Sequence, residues 1–115
     1  MLRCNTVRAR RASEESIMIV VRYRPKTDRA DENQRLVEAV FAELAATDPG
    51  GLRYATLRLA DGTFVHIADV EGETNPLAET AAFAEFQKGL GDRCAEGDGP
   101  NPQEAIVVGS YGFTT

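Results

Sequence analysis

Gly51-Leu52-Arg53-Tyr54-Ala55-Thr56-Leu57-Arg58-Leu59-Ala60 runs into Asp61-Gly62, and Thr63-Phe64-Val65-His66-Ile67-Ala68-Asp69-Val70 runs out again. Two alternating runs joined by Asp-Gly read as a β-hairpin, because a type I′ turn needs positive φ at both central residues. A two-residue turn at Asp61-Gly62 predicts Leu59 opposite Phe64, Leu57 opposite His66 and Ala55 opposite Ala68. Opposed residues share a face. One face then holds Ala55, Leu57, Leu59, Phe64, His66 and Ala68, apolar enough to take helices. The other holds Tyr54, Thr56, Arg58, Val65, Ile67 and Asp69, too mixed for a dry core and too apolar for water.

The rest of the chain flanks this hairpin symmetrically. Ile17 to Arg24 is β-branched and nearly continuously apolar, as in a strand covered on both faces, and Pro25 ends it. Thr27 or Asp28 is placed to cap a helix with Asp31 and Glu32 in its first turn. Leu36, Val37, Val40, Phe41 and Leu44 recur at helical spacing, and Asp48-Pro49-Gly50-Gly51 stops that helix. Beyond the hairpin, Asn75-Pro76 opens a second helix predicted to reach Cys94, with Leu77, Ala81, Phe83, Phe86 and Leu90 facing inward. A Gly- and Pro-rich loop leads to a last strand over Glu104 to Phe113. The order βαββαβ is the ferredoxin-like, split-βαβ layout of an α+β domain with a four-stranded antiparallel sheet.

At 115 residues there is room for one domain, predicted over residues 17–115. Residues 1–16 carry Arg3, Arg8, Arg10 and Arg11 without an apolar core, and read as a disordered tail or an over-extended start ahead of Met18. Net charge is −5 with no basic stripe after Arg24, which argues against nucleic acid as a partner. No apolar run approaches the ~20 residues needed to span a bilayer. Cys4 and Cys94 have neither metal-site nor disulfide spacing, so a reduced, cytoplasmic setting and no metal site are expected. The mixed face carrying Thr56, Arg58, Val65 and Ile67 predicts a homodimer, because a second copy of the sheet is its simplest cover.

The segments Gly51-Leu52-Arg53-Tyr54, Phe64-Val65-His66-Ile67, Asn75-Pro76-Leu77 with Phe83-Ala84-Glu85-Phe86, and Val107-Val108-Gly109-Ser110-Tyr111 resemble the dimeric α+β barrel superfamily. Within it the chain is most similar to antibiotic-biosynthesis-monooxygenase-like domains, from about Ile17 to Thr115. The resemblance implies a dimeric barrel and one of several activities: cofactor-independent oxygenation of phenolic polyketides, haem degradation, quinol oxygenation or isomerisation. The haem-degrading branch uses an Asn, a Trp and an axial His near the end of the second helix. This chain has no Trp, and that helix ends Gly91-Asp92-Arg93-Cys94, so haem is disfavoured.

Two readings of function follow. In the first, the protein is a cofactor-free oxygenase acting on a small aromatic or polyketide-type substrate held between helices and sheet. His66, the single histidine, is the candidate base, since imidazole titrates near neutral pH. Phe83, Phe86, Leu57 and Phe64 are the candidate substrate contacts, and Tyr23, Tyr54, Tyr111 and Arg58 the polar groups available to orient a ring. In the second reading the fold is a non-catalytic homodimeric module that binds a small ligand or merely assembles. The plain alternative for His66, Phe83 and Phe86 is core packing.

Overall fold

The computed structural model describes residues 16–112; the tail expected over residues 1–16 lies outside the described residues except for Ser16, which belongs to the first strand, and the chain end from Phe113 lies outside them too. Strand β1 (Ser16–Tyr23) is followed by a 3-10 turn (Thr27–Arg29) and helix α1 (Ala30–Thr47). The hairpin β2 (Leu52–Arg58) and β3 (Phe64–Glu71) comes next. A 3-10 turn (Pro76–Glu79), α2 (Ala81–Gln87), a short α3 (Leu90–Arg93) and β4 (Asn101–Ala105) complete the chain. The strands form one antiparallel sheet in the order β2-β3-β1-β4, the ferredoxin-like arrangement.

The hairpin register differs by one residue from the two-residue-turn expectation. Thr56 lies opposite His66, Leu57 opposite Val65 and Tyr54 opposite Ala68. The turn closes through Leu59 N–H to Thr63 O (2.8 Å) and Gly62 N–H to Leu59 O (3.0 Å), leaving Ala60, Asp61 and Gly62 as a three-residue loop. Gly62 takes φ +92°, the left-handed conformation that a type I turn with a bulge requires. Asp61 Oδ1 accepts the Thr63 N–H at 2.9 Å and stiffens the loop.

A one-residue slip exchanges the two faces of a strand. Phe64, His66 and Ala68 face the helices as expected, but Tyr54 and Thr56, not Ala55 and Leu57, share that face with them. Ile19, Val21 and Tyr23 of β1 join them by register. Every sheet residue in the core cluster comes from this face: Tyr23 and Phe64 at its centre, with Val21, Leu52, Tyr54 and Ala68 packed around them. From the helices come Val37, Val40, Leu77, Phe86 and Leu90. The opposite face therefore holds Val20, Ala55, Leu57, Val65 and Ile67. By register it also carries Arg22, Arg53 and Asp69, and Leu57 (49% exposed) and Leu59 (40%) lie open. The face expected to carry Thr56 and Arg58 does not carry them.

Two further elements depart from expectation. Neither Thr27 nor Asp28 caps α1, which is entered through the 3-10 turn, with Asp31 and Glu32 in its first turn as predicted. The second helix is broken: Thr80 and Lys88 are extended and Gly89 takes φ +77°, so three short pieces replace one rod. Asn75 Oδ1 accepts the Leu77 N–H (3.0 Å), the cap foreseen at Asn75-Pro76. Glu43 of α1 accepts the Ala81 and Ala82 N–H groups at 3.2 and 2.8 Å, so a carboxylate from one helix caps the next and docks α2 on α1.

The last strand also starts earlier than predicted. Asn101–Ala105 pairs with β1, whereas Ile106, Val107, Val108 (96% exposed) and Tyr111 lie exposed beyond it. Pro102 is tolerated because β4 is an edge strand and needs only one row of hydrogen bonds.

Candidate functional site

The sheet register places a histidine between two tyrosines. Tyr23 Oη is 2.7 Å from His66 Nε2, and Tyr54 Oη is 2.6 Å from Nδ1, with Thr56 Oγ1 3.1 Å from the same nitrogen. The polar chain continues inward. Asn33 Nδ2 of α1 donates to Tyr23 Oη at 2.9 Å, and Arg93 Nε of α3 donates to Asn33 Oδ1 at 3.1 Å. Arg93 also donates to Phe86 O (2.7 Å) and Lys88 O (3.2 Å), satisfying carbonyls at the end of α2. Its guanidinium stacks over the Phe86 ring at 5.4 Å. Side chains from β1, β2, β3, α1 and α3 thus meet in one buried line.

Burial governs the electrostatics. Desolvation holds the His66 imidazole neutral, with a pKa lowered to about 4. Burial likewise pushes both tyrosine hydroxyls upward, Tyr23 well above the ordinary phenol range and Tyr54 in the same direction. Arg93 (2% exposed) is lowered by the same desolvation and forms no ion pair among the described residues. Buried polar groups left unpaired are costly, and here each member has a neighbour.

Hydrogen-bond accounting assigns the direction. Tyr23 Oη accepts from Asn33, so its own hydrogen is free to go to His66 Nε2, and Nδ1 then carries the ring proton toward Tyr54. The reverse tautomer would give Tyr23 two incoming hydrogens and no partner for its own. Tyr54 accepts from the ring, and its hydroxyl also hydrogen-bonds the Thr56 side chain.

Beside these groups lies a cavity of about 250 Å³ between the helix face of the sheet and the α2 region. Tyr23, Tyr54 and His66 form its polar wall, Ile19 and Val21 the sheet floor, Leu77, Phe83 and Phe86 the roof, and Pro100 and Pro102 one side. A cavity of ~150 Å³ is enough for benzene, so this one has the volume of a small ring system. Of the residues singled out in the sequence, the structure brings His66, Phe83, Phe86, Tyr23 and Tyr54 together here. Phe64 is fully buried beside them, stacked on Tyr23 at 5.8 Å, and does not line the cavity. Leu57 is on the opposite face because of the register. Arg58 covers the Phe64 ring at 5.6 Å and bonds Asp31 and Gln34, and Tyr111 is exposed away from any site.

Asn33 and Arg93 were not singled out in the sequence, and Thr56 was expected on the dimer face rather than here. Asn33 had a legible signal, since it falls four residues before Val37 and seven before Val40, inside the apolar stripe of α1. Arg93 is seven residues after Phe86 and three after Leu90, a charge on an inward stripe. Cys94 is a buried thiol whose pKa burial raises, consistent with an apolar plug. Among the described residues no cluster of His, Cys, Asp and Glu is arranged to hold a metal ion, and no helix is long and apolar enough to cross a membrane.

No family model matches the sequence, and no curated protein does. Solved structures do. The chain superposes on a candidate antibiotic biosynthesis monooxygenase from Nitrosomonas europaea with a TM-score of 0.60 and 22% identity, covering 87% of this chain and 95% of that one. A similarly described protein from Bacteroides thetaiotaomicron gives 0.70 at 13% identity, over 90% and 98%. A cofactor-independent oxygenase from Streptomyces nogalater gives 0.61 at 14% identity, over 86% and 99%. At these identities the likeness is one of architecture, and it spans the whole βαββαβ unit. The chain shares the ferredoxin-like βαββαβ fold of these antibiotic-biosynthesis-monooxygenase-like structures.

Proposed function

We propose that this protein is a cofactor-independent oxygenase of small, electron-rich aromatic or polyketide-type substrates, working as a homodimer. The observation that carries the reading is the apolar cavity with one polar wall, built from His66, Tyr23 and Tyr54. Such a wall orients one oxygen of a ring, while Phe83, Phe86 and Val21 keep water from the rest. The structural neighbour from Streptomyces nogalater, described as a cofactor-independent oxygenase, supports the same chemistry.

In this reading the substrate supplies the electrons. A phenol is oxidised by dioxygen to a quinone: one oxygen atom becomes the new carbonyl and the other leaves as water, which takes one hydrogen from the hydroxyl and one from the ring carbon that is oxygenated. The protein contributes orientation, a dry site and hydrogen bonds. His66 is suited to holding and passing polarity between Tyr23 and Tyr54, because burial keeps it neutral and both nitrogens are engaged. The open face of Val20, Ala55, Leu57, Val65 and Ile67 is the surface for the second copy. A buried free thiol at Cys94 fits a reduced, cytoplasmic setting.

The test is oxygen uptake with hydroxylated mono- and bicyclic aromatics in metal-free buffer. Consumption coupled to a quinone chromophore, saturable in substrate and lost in Tyr54→Phe, supports the assignment. Saturable binding of the same compounds without oxygen uptake favours the non-catalytic ligand-binding module instead.

A further inference from the structure

We propose that the ring of Tyr54 sets the length of ligand the cavity accepts, so that the protein takes compact hydroxyarenes and turns away those carrying a long apolar chain. The inference rests on the reading of this cavity as the substrate site.

A second apolar space lies behind the polar wall. It is a surface groove of about 320 Å³ between the end of α1 and the start of β2, lined by Phe41, Leu44 and Ala45 of the helix, Leu52 of the strand and the Asp48-Pro49 turn. Among the described residues, Tyr54 alone lines both the groove and the cavity. Its ring stacks on Phe41 of the groove at 4.8 Å, 12° from parallel, and on His66 of the cavity at 5.8 Å. One aromatic ring therefore stands between two apolar spaces. Removing it more than doubles the room open to a ligand.

The ring is a fixed wall. Its hydroxyl is held 2.6 Å from His66 Nδ1 and hydrogen-bonds the Thr56 side chain, while Phe41 and His66 pack against the ring itself. Turning it aside loses those hydrogen bonds and both stacking contacts together. The register explains its position. Tyr54 is opposed on the same face by Ala68, whose small side chain leaves the width of the sheet there to the tyrosine. Specificity of this kind comes from a clash with the wrong ligand, without any added contact to the right one. Asp48 is the single charged residue in the groove lining, so the chain that would fill this space is a neutral, apolar one. The plain role of Tyr54, packing the core and bonding His66, predicts neither a length limit nor any effect of a change made out in the groove.

A series of 4-alkylphenols from 4-methylphenol to 4-hexylphenol, titrated calorimetrically against the full chain, tests this. Each methylene that is buried should raise affinity about fourfold. The wild type should gain over the first members and then level off. Tyr54→Phe, which keeps the ring and drops the hydroxyl, should show the same limit. Tyr54→Ala should go on gaining to the longest chain. Ala45 is exposed on the groove wall, and Ala45→Trp should cancel that gain in the Tyr54→Ala background while leaving the wild-type series as it was. Should Tyr54→Ala fail to fold, Tyr54→Leu decides by the same comparison. A wild type that gains across the whole series, or a gain in Tyr54→Ala that Ala45→Trp leaves untouched, overturns this inference alone. Failure of both 4-methylphenol and 1-naphthol to bind the wild type overturns the substrate site and the inference together.

Discussion

Tyr23 and His66 sit on adjacent strands without being opposed: Tyr23 pairs with Phe64 and His66 with Val21, so their 2.7 Å hydrogen bond crosses the sheet on the diagonal. Diagonal neighbours are ~7–8 Å apart at the backbone, a gap that long aromatic side chains can bridge. The diagonal brings the Tyr23 hydroxyl under the imidazole and within reach of Asn33 on α1. One tyrosine therefore ties the central strands to the helix layer.

Tyr23→Phe should be destabilising out of proportion to the single atom removed. It leaves the Asn33 amide donor and the His66 Nε2 acceptor buried without their partner. The expected loss is about 1–3 kcal/mol. For a domain near this size each kcal/mol moves the melting temperature by roughly 4–8 °C. A thermal melt within a degree of wild type would show that the two polar groups find replacements, and the network would lose its structural weight.

Stability should depend on pH through His66 in a window that no other side chain shares. The folded pKa is lowered to about 4 from an unfolded value of 6.5. Stability is therefore full above the unfolded value and falls as the unfolded chain takes up a proton that the folded one refuses. Between pH 7 and pH 5 the wild type should lose about 2 kcal/mol. The chain has one histidine, so His66→Gln should flatten that slope even though its stability at pH 7 is lower. Urea denaturation of both proteins at the two pH values measures it; equal slopes would mean that the ring titrates normally.

Much of this fold was legible in the sequence, and the point of failure was a single turn. Asp61-Gly62 announces a hairpin, but the same dipeptide fits a two-residue turn or the last two positions of a three-residue one. The alternation of β3 put Phe64, His66 and Ala68 on the correct face; β2 has the same period and gave no warning that it was shifted. That slip hid the Tyr54–His66–Thr56 cluster and put Leu57 in its place. The last strand misled for another reason. Ile106-Val107-Val108 has strong β character, yet the backbone pairing with β1 is made by Asn101–Ala105, where propensity is poor and the edge position tolerates Pro102. Asn33 and Arg93 needed only the question of why a polar group recurs on an apolar stripe. Their partners, three elements apart in the chain, were not readable from spacing.

The register itself can be challenged at Gly62. Its φ of +92° is strained for any residue with a Cβ, although a Cβ there would meet nothing within 4 Å. Gly62→Ala should cost about 1 kcal/mol through backbone strain alone, with Gly62→Asn milder because Asn tolerates the left-handed region. Gly50, which has equal space and no positive φ, is the control: Gly50→Ala should be near neutral or slightly stabilising. Denaturant midpoints with unchanged m-values would establish this. Equal effects at the two glycines would speak against the three-residue loop.

Self-association is expected through the open sheet face, and Leu57 is the residue to test it with. Leu57 is half exposed in the single chain, beside Val65, to which it is paired, and Ile67 on the same strand face. Apolar surface of this kind on an ordered sheet favours a partner over water. Light scattering at micromolar concentration should give twice the mass of one chain. Leu57→Glu places a charge on the proposed seam without touching the helix-side core, so it should shift the protein toward monomer while circular dichroism stays native. Ile67→Lys should do the same more severely, since Ile67 is flanked by Val20 of β1 and Ala55 of β2 and its charge would sit between apolar neighbours at the centre of the face. A wild type that runs as a clean monomer, or a Leu57→Glu protein that stays dimeric, would remove this face from consideration as the interface.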